Sequence, residues 1–476
     1  LEIREANYGK VHIDVARGYY LRAILNKELQ LLDEAEADLK QAISSMEILL
    51  ETGASVDTFR LIWMYEESIR LHTRLKNSTL ALQFWDKTYN YQAQDPAANF
   101  LNIIALYNNK GQIHYSQQKY EQAETALLQA IAIYHNNRQP EAAKETVALV
   151  YSDLGLTQFK LKKFNEAKQN YTRALALFRD LLGDTESPWY YEKLGIVYGN
   201  LMELAGKTQT PQEVESYFKL ALDHYLKGCV TVYHPLIATL YRDRAQIKMD
   251  RGELSEALAL NLKSIQALVP DFKTDDAFAI VDLNRHPIQD KISFLESMRQ
   301  KAALLSGLSA KEHNQQYLLL ALQNYQTLDS VISAIRQSYA AAGSQFELIE
   351  QSYPIYEKAI ATALQLYELR QDNVYLEAAY QYAGKNKALV LLGSIQEEKA
   401  KSYSSIPSEL KEQERLLKRD LFELESTLYD RADEKETATL KDSIFTLQRQ
   451  YQRLIDQFEI DYPDYYEAKY GLSSAS

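Results

Sequence analysis

An all-α solenoid of helical hairpins is the fold this sequence predicts, and three observations predict it. The 476 residues include only 16 glycines and 10 prolines, too few turn formers for a sandwich, barrel or propeller, which need a turn every ~8–12 residues. Hydrophobic residues make up 46% of the chain, enough for a continuous core, and they recur at helical spacing. One phrase of alternating small and large residues also returns at nearly regular intervals.

The phrase is clearest in Tyr120-Glu121-Gln122-Ala123 with Leu127 and Ala130, and in Phe164-Asn165-Glu166-Ala167 with Tyr171 and Ala174. Upstream of these alanines, at one shared offset, stand Gly111 and Gly155, each preceded by a tyrosine, Tyr107 and Tyr151. The small residues let two helices approach and the aromatics fill the space between them. Weaker copies are Ala35 with Leu39 and Ala42, Ala81 with Trp85, Val214 with Phe218 and Ala221, and Ala257, so the markers follow one another in steps of 42 to 47 residues. The alternation resembles a tetratricopeptide repeat, with a unit longer than the usual ~34 residues. The resemblance implies about six helical hairpins over residues 1–270, stacked as a right-handed TPR-like superhelix with a concave face made mostly of A helices.

Residues 271–288, which hold Asp275-Asp276 and His286-Pro287, interrupt the pattern and mark a joint. Residues 271–400 then read as a helical extension continuing the solenoid, with helices near 288–306, 311–340, 344–370 and 373–400. Over 401–462, Leu410, Leu417, Leu421, Leu424 and Leu428 form one heptad stripe, and Leu440, Ile444, Leu447, Tyr451, Leu454 and Phe458 form another. The polar stretch Asp430-Arg431-Ala432-Asp433-Glu434-Lys435-Glu436-Thr437 between them favours an antiparallel coiled-coil hairpin over one continuous helix. Residues 463–476 read as a linker to a missing C-terminal domain.

Residues 379–392 read AYQYAGKNKALVLL, and residues 462–470 read YPDYYEAKY. With the charged hairpin between them, they resemble the region preceding the caspase-like domain of bacterial CHAT proteins, although Gly384 stands where that family usually has glutamate. The resemblance implies a sensor or scaffold half whose repeats receive a partner and whose protease-like effector lies downstream. The alternative is a repeat sensor with a kinase or DNA-binding output.

The remaining chemistry is sparse, and the chain is expected not to be an enzyme. The chain carries 65 acidic against 53 basic residues, a formal charge of −12, so no general attraction to nucleic acid or anionic lipid is expected. No apolar run reaches the ~18 residues of a membrane span. The single cysteine, Cys229, lies outside any Q-A-C-x-G context and is read as a packing residue. The eight histidines form no HxxxH or HExxH pair and no GxxxxGK[ST] or GxGxxG loop is present, so no metal and no cofactor is expected. A protein or peptide ligand in the concave groove is expected instead, and a cytoplasmic location.

The repeat frame places the groove residues at Asn108, Gln112 and Tyr115, then Ser152, Leu156 and Phe159, then Arg242 and Gln246, joined by Trp189 and Glu192 of the inserted unit. The Lys and Asn pattern that clamps acidic C-termini in chaperone-binding repeats is lacking, so a mixed polar and aromatic groove is predicted. Replacing Asn108, Gln112 and Tyr115 together is expected to weaken partner capture with little loss of stability. The competing reading has these residues contacting another part of the same chain.

Overall fold

The computed structural model describes residues 2–386, apart from 10, 29–31, 54–57, 75–77, 139, 184, 230, 284, 287, 289 and 339–341, and beyond them scattered positions between 407 and 462. Its regular elements, among the described residues, are helices. A short α1 (Glu2–Tyr8) precedes six hairpins. These are α2 (Ile13–Glu28) with α3 (Leu32–Glu51), α4 (Thr58–Arg74) with α5 (Ser78–Gln92), and α6 (Phe100–Ser116) with α7 (Tyr120–Asn136). After them come α8 (Lys144–Lys160) with α9 (Phe164–Leu182), α10 (Pro188–Lys207) with α11 (Pro211–Gly228), and α12 (Pro235–Asp250) with α13 (Leu254–Gln266). Three long helices follow, α14 (Lys291–Glu312), α15 (Gln315–Ser338) and α16 (Ala342–Arg370), and residues 373–386 are helical again. The chain divides into two compact units, Leu1–Asn386 and Lys387–Ser476.

The repeat markers sit where the packing argument needs them. Ala35, Ala81, Ala123, Ala167, Val214 and Ala257 are all buried, each on the second helix of its hairpin. Gly111 lies under Leu127, and Gly155 lies so close to the Tyr171 ring that a Cβ there would stand 2.6 Å from Cδ1 and from Cε1. Tyr171 and Phe178 are fully buried, and side chains of that size contribute roughly 1.5–3 kcal/mol each when removed from water. Within the first unit, α6 touches α8, α8 touches α10, α10 touches α12 and α12 touches α14. These first helices of successive hairpins therefore line one shared face.

Glycine scarcity is resolved at the hairpin turns. Gln118, Lys162 and Gln209 adopt left-handed backbone conformations with φ of 61°, 59° and 56°, and Gly252 does the same at 74°. Each occupies the same place between an A helix and its B helix. The following N–H closes the turn onto a carbonyl of the A helix, Lys119 to His114 at 2.9 Å, Lys163 to Gln158 at 2.8 Å, Thr210 to Ala205 at 3.0 Å and Glu253 to Lys248 at 3.0 Å. This 6→1 bond satisfies a helix-end carbonyl and offsets the cost of a left-handed residue bearing a Cβ. Pro188, Pro211 and Pro235 each open a helix, where the missing N–H has no partner to lose.

The joint is also closely packed. Phe272 and Val281 are buried, and Lys301 on α14, 0% exposed, donates from Nζ to the Ala279 carbonyl and so ties the connecting segment down. In the second unit, described positions between 409 and 424 and between 443 and 461 are helical, with Leu417, Leu454 and Phe458 buried. Leu421, Leu428, Leu440, Ile444 and Tyr451 of the heptad stripes lie outside the described residues, as do the polar stretch 430–437, residues 387–392 of the CHAT-like segment and the linker 463–476.

Candidate functional site: the face of the A helices

The predicted groove residues occupy the A helices α6, α8, α10 and α12, and the structure gives them unequal exposure. On α6, Gln112 is exposed and its Nε2 donates to Asp153 Oδ2 on α8 at 2.8 Å. Asn108 is buried and also hydrogen-bonds Asp153. Tyr115 is half-buried with its ring edge-on to Tyr120 at 5.4 Å. On α8, Ser152 is buried, while Leu156 and Phe159 are half-buried, Phe159 lying 5.9 Å from Phe164. On α12, Arg242 Nη2 donates to Thr239 Oγ1 at 3.3 Å, and exposed Gln246 donates to Asp250 Oδ1 at 2.7 Å. Because Asn108 is buried and Tyr115 packs on its neighbour, replacing them with Gln112 would damage the fold as well as the surface. Gln112 and Gln246 are the clean probes of the face.

Trp189 and Glu192 belong to the junction of α8 with α10. The Trp189 indole N–H donates to Glu145 Oε1 at 3.1 Å, the Tyr190 hydroxyl donates to Glu145 Oε2 at 3.0 Å, and the Lys193 ammonium lies 3.8 Å from the Trp189 ring centroid. Lys193 also pairs with Glu192 at 2.9 Å. Trp189 nevertheless keeps 46% of its surface exposed, so it joins an inter-repeat contact to open surface.

Charged residues that the repeat frame did not select lie between the predicted ones. Two residues before the small contact position of α8, α10 and α12 stand Asp153 (before Gly155), Lys193 (before Gly195) and Asp243 (before Ala245). This register of acid, base and acid was readable in Tyr151-Ser152-Asp153-Leu154-Gly155 and Tyr241-Arg242-Asp243-Arg244-Ala245. Burial pushes the Asp153 carboxyl up to about 6, against the opposing pull of its Gln112 and Asn108 hydrogen bonds and of Lys193. Burial, reinforced by the charge of Glu203, holds Asp243 well above the usual carboxylate range, and Arg242 and Lys160 pull it down. The Glu203 carboxyl is the acidic neighbour that acts on Asp243 from α10.

The Asp153 shift carries a stability consequence with a definite sign. A carboxyl whose folded pKa lies above its unfolded value binds more protons when folded, so stability falls as pH rises from about 4 through about 6. Asp153→Asn is therefore expected to stabilise the fold at pH 7 by on the order of 1 kcal/mol, discounted for the partial solvent access of the side chain. Urea unfolding of both proteins at pH 5 and pH 7 checks this, the gap between them widening at the higher pH.

Cys229 caps the end of α11, is buried, and has its thiol pushed up to about 11 by burial, then by the charge of Glu192. A thiol so protonated at neutral pH is a poor nucleophile. No helix among the described residues is long and apolar enough to cross a membrane, and no group of three His, Cys, Asp or Glu among them is arranged around a metal position.

A tetratricopeptide repeat family model matches residues 103–136, which span α6 and α7, and a second matches 148–181, which fall on α8 and α9. The chain carries tetratricopeptide repeats. Among curated proteins it is similar to Protein KINESIN LIGHT CHAIN-RELATED 2 of Arabidopsis thaliana, 30% identical over 123 residues that cover 26% of this chain and 18% of that protein. It is also similar to the Clustered mitochondria protein homolog of Candida albicans, 24% identical over 187 residues, 39% of this chain and 13% of that protein. The chain thus spans less than a fifth of either relative. Aspartyl phosphate phosphatase F from Bacillus subtilis is a similar solved structure, with TM-score 0.47, 11% identity, and coverage of 69% of this chain and 73% of that one. A Rap protein complexed with Competence and Sporulation Factor gives TM-score 0.41 and 12% identity over 79% of this chain and 98% of that one.

Proposed function

We propose that this chain is a non-enzymatic protein-interaction module whose tetratricopeptide repeats hold a peptide or protein segment along the face of α6, α8, α10 and α12. The observation that carries the reading is that face itself. Successive A helices touch one another and present exposed amides, Gln112 and Gln246, beside half-buried aromatics, Tyr115 and Phe159. Aromatic surface supplies contact area at low entropic cost and amides supply directional hydrogen bonds, the combination found in protein-binding surfaces. The finer assignment rests on sequence resemblance. The repeats regulate a caspase-like CHAT domain downstream, with a coiled-coil hairpin over 401–462 between them, in a cytoplasmic protein. A kinase or DNA-binding output is the alternative.

Photo-crosslinking tests the groove. A benzophenone side chain at Gln112 and one at Gln246 are expected to capture the same partner, while one at Leu128, exposed on the B helix α7, captures none of it. Gln112→Ala with Gln246→Ala is expected to weaken capture by about fivefold or more at an unchanged melting temperature. Equal crosslinking from Leu128 would place the partner elsewhere.

A further inference from the structure

The segment that breaks the repeat pattern builds one wall of a cleft. About 610 Å³ of space opens between the ends of α11 and α13, the start of α12 and residues 270–275, a size within the range of ordinary small-molecule sites, roughly 300–1,000 Å³. Its lining shares no residue with the predicted groove.

Three rings and an aliphatic mouth make the walls largely apolar. Tyr241 is backed by Phe218, ring centroids 5.5 Å apart, and Phe272 is buried and backed by His286 at 5.6 Å, so both rings are held from behind. Tyr233 joins them from the connection between α11 and α12, and Leu226 and Val232 stay exposed at the mouth. The wall formed by residues 270–275 is tied in place, because Gln266 Nε2 donates to the Thr274 carbonyl at 2.7 Å and Thr274 Oγ1 accepts the Asp276 N–H at 3.1 Å. A cleft fixed before a ligand arrives spends little ordering entropy on binding it.

The charge of the lining is opposite in sign to that of the protein. Two bases, Lys263 and Lys273, stand against one acid, Asp275, in a chain whose formal charge is −12. Both lysines are exposed, and neither forms an ion pair within 4.0 Å among the described residues. The Lys263 ammonium lies 5.7 Å from the Tyr241 ring centroid, which sets a positive charge beside an aromatic wall. Since Gln266 is spent on Thr274, the two ammoniums are the charged donors left for a ligand.

We infer that this cleft binds a small organic acid, a ring-bearing apolar body with one carboxylate, the body packing against Tyr241 and Phe272 and the carboxylate meeting Lys263 and Lys273. Asp275 on the same lining repels a second anionic group, so a monoanion fits better than a di-acid. The inference goes beyond the protein-binding reading and does not depend on it.

Dansyl-phenylalanine and its primary amide are the probes, the same rings with and without the charge. In titrations followed by dansyl emission at low salt, the acid is expected to bind about fivefold more tightly than the amide, the scale of exposed ion pairs. That preference should shrink as ionic strength rises to roughly 1 M. Hydrogen exchange with the acid bound should slow at the end of α11, the start of α12 and residues 263–275. Lys263→Gln with Lys273→Gln should lower the acid to the affinity of the amide, with amide binding and melting temperature unchanged. Lys40→Gln with Lys358→Gln, which removes the same formal charge from exposed positions on α3 and α16, should leave the preference intact. Equal affinity of acid and amide, an equal loss in the two double variants, or protection elsewhere overturns the inference. So does tighter binding of a peptide ending in Phe than of dansyl-phenylalanine, which would make the cleft a peptide site, or a concentration-dependent dimer that excludes both probes, which would make it an interface between copies.

Discussion

Gly228→Ala is expected to destabilise the protein by about 3 kcal/mol, the upper end of the cost of overpacking. Gly228 ends α11 where that helix crosses the start of α10, and a Cβ there would stand 2.7 Å from the Glu192 amide nitrogen and 2.8 Å from the Pro188 carbonyl oxygen. A side chain can rotate away from such a contact, but a helix backbone cannot. The two helices would have to separate, loosening Tyr225 and Phe218, which are buried on α11. Gly384 provides the contrast, because it lies in a helix and a Cβ there meets nothing within 4 Å. Gly384→Ala is expected to gain about 0.5–1 kcal/mol through the lower backbone entropy of the unfolded chain. Urea unfolding of the two variants should move in opposite directions, and hydrogen exchange should locate the Gly228→Ala damage in α10 and α11.

Acid should unfold the N-terminal hairpins first, and His72 should be the main reason. The ring is 5% exposed, stacks on Phe84 at 5.7 Å with planes 3° apart, and has no hydrogen-bond partner at Nδ1. Burial pushes its pKa from 6.5 down to about 4, despite the Glu36 carboxylate 3.8 Å away, which is 37% exposed and screened. The folded state thus binds fewer protons than the unfolded chain between pH 6.5 and 4. Stability is present above that window and falls as pH drops through it, by about 3 kcal/mol at pH 4. His72→Phe, which keeps the stack with Phe84 and removes the titration, is expected to erase most of that loss. Urea midpoints at pH 7 and pH 4.5 for both proteins check it, and an equal acid shift in His72→Phe would assign the effect to other groups.

The helical hairpins were legible because packing leaves a periodic trace. Ala123 and Ala167 are small since another helix crosses them, and Tyr171 is large since Gly155 leaves room for it. The turns were not legible by the same logic. Gln118, Lys162 and Gln209 show no turn signature, since their left-handed conformation is held by bonds between backbone groups that any residue possesses. The face of the A helices was half legible. The repeat frame selected Gln112 and Gln246, which are exposed, but also Asn108 and Ser152, which are buried, because a helical wheel gives direction and not depth. Asp153 and Asp243 were passed over because acidic residues on helices usually face water. Only the distance to Gln112 and the charge of Glu203 acting on Asp243 distinguish them from solvated charges.

Cys229 has a use in the laboratory that follows from its burial. It is the sole cysteine of the chain, and its thiol is pushed up to about 11. Maleimide reagents, which consume thiolate, will therefore pass over it at neutral pH. The unmodified protein is a dark background for site-specific labelling, and a single Gln246→Cys substitution puts one reactive thiol on the exposed surface of α12.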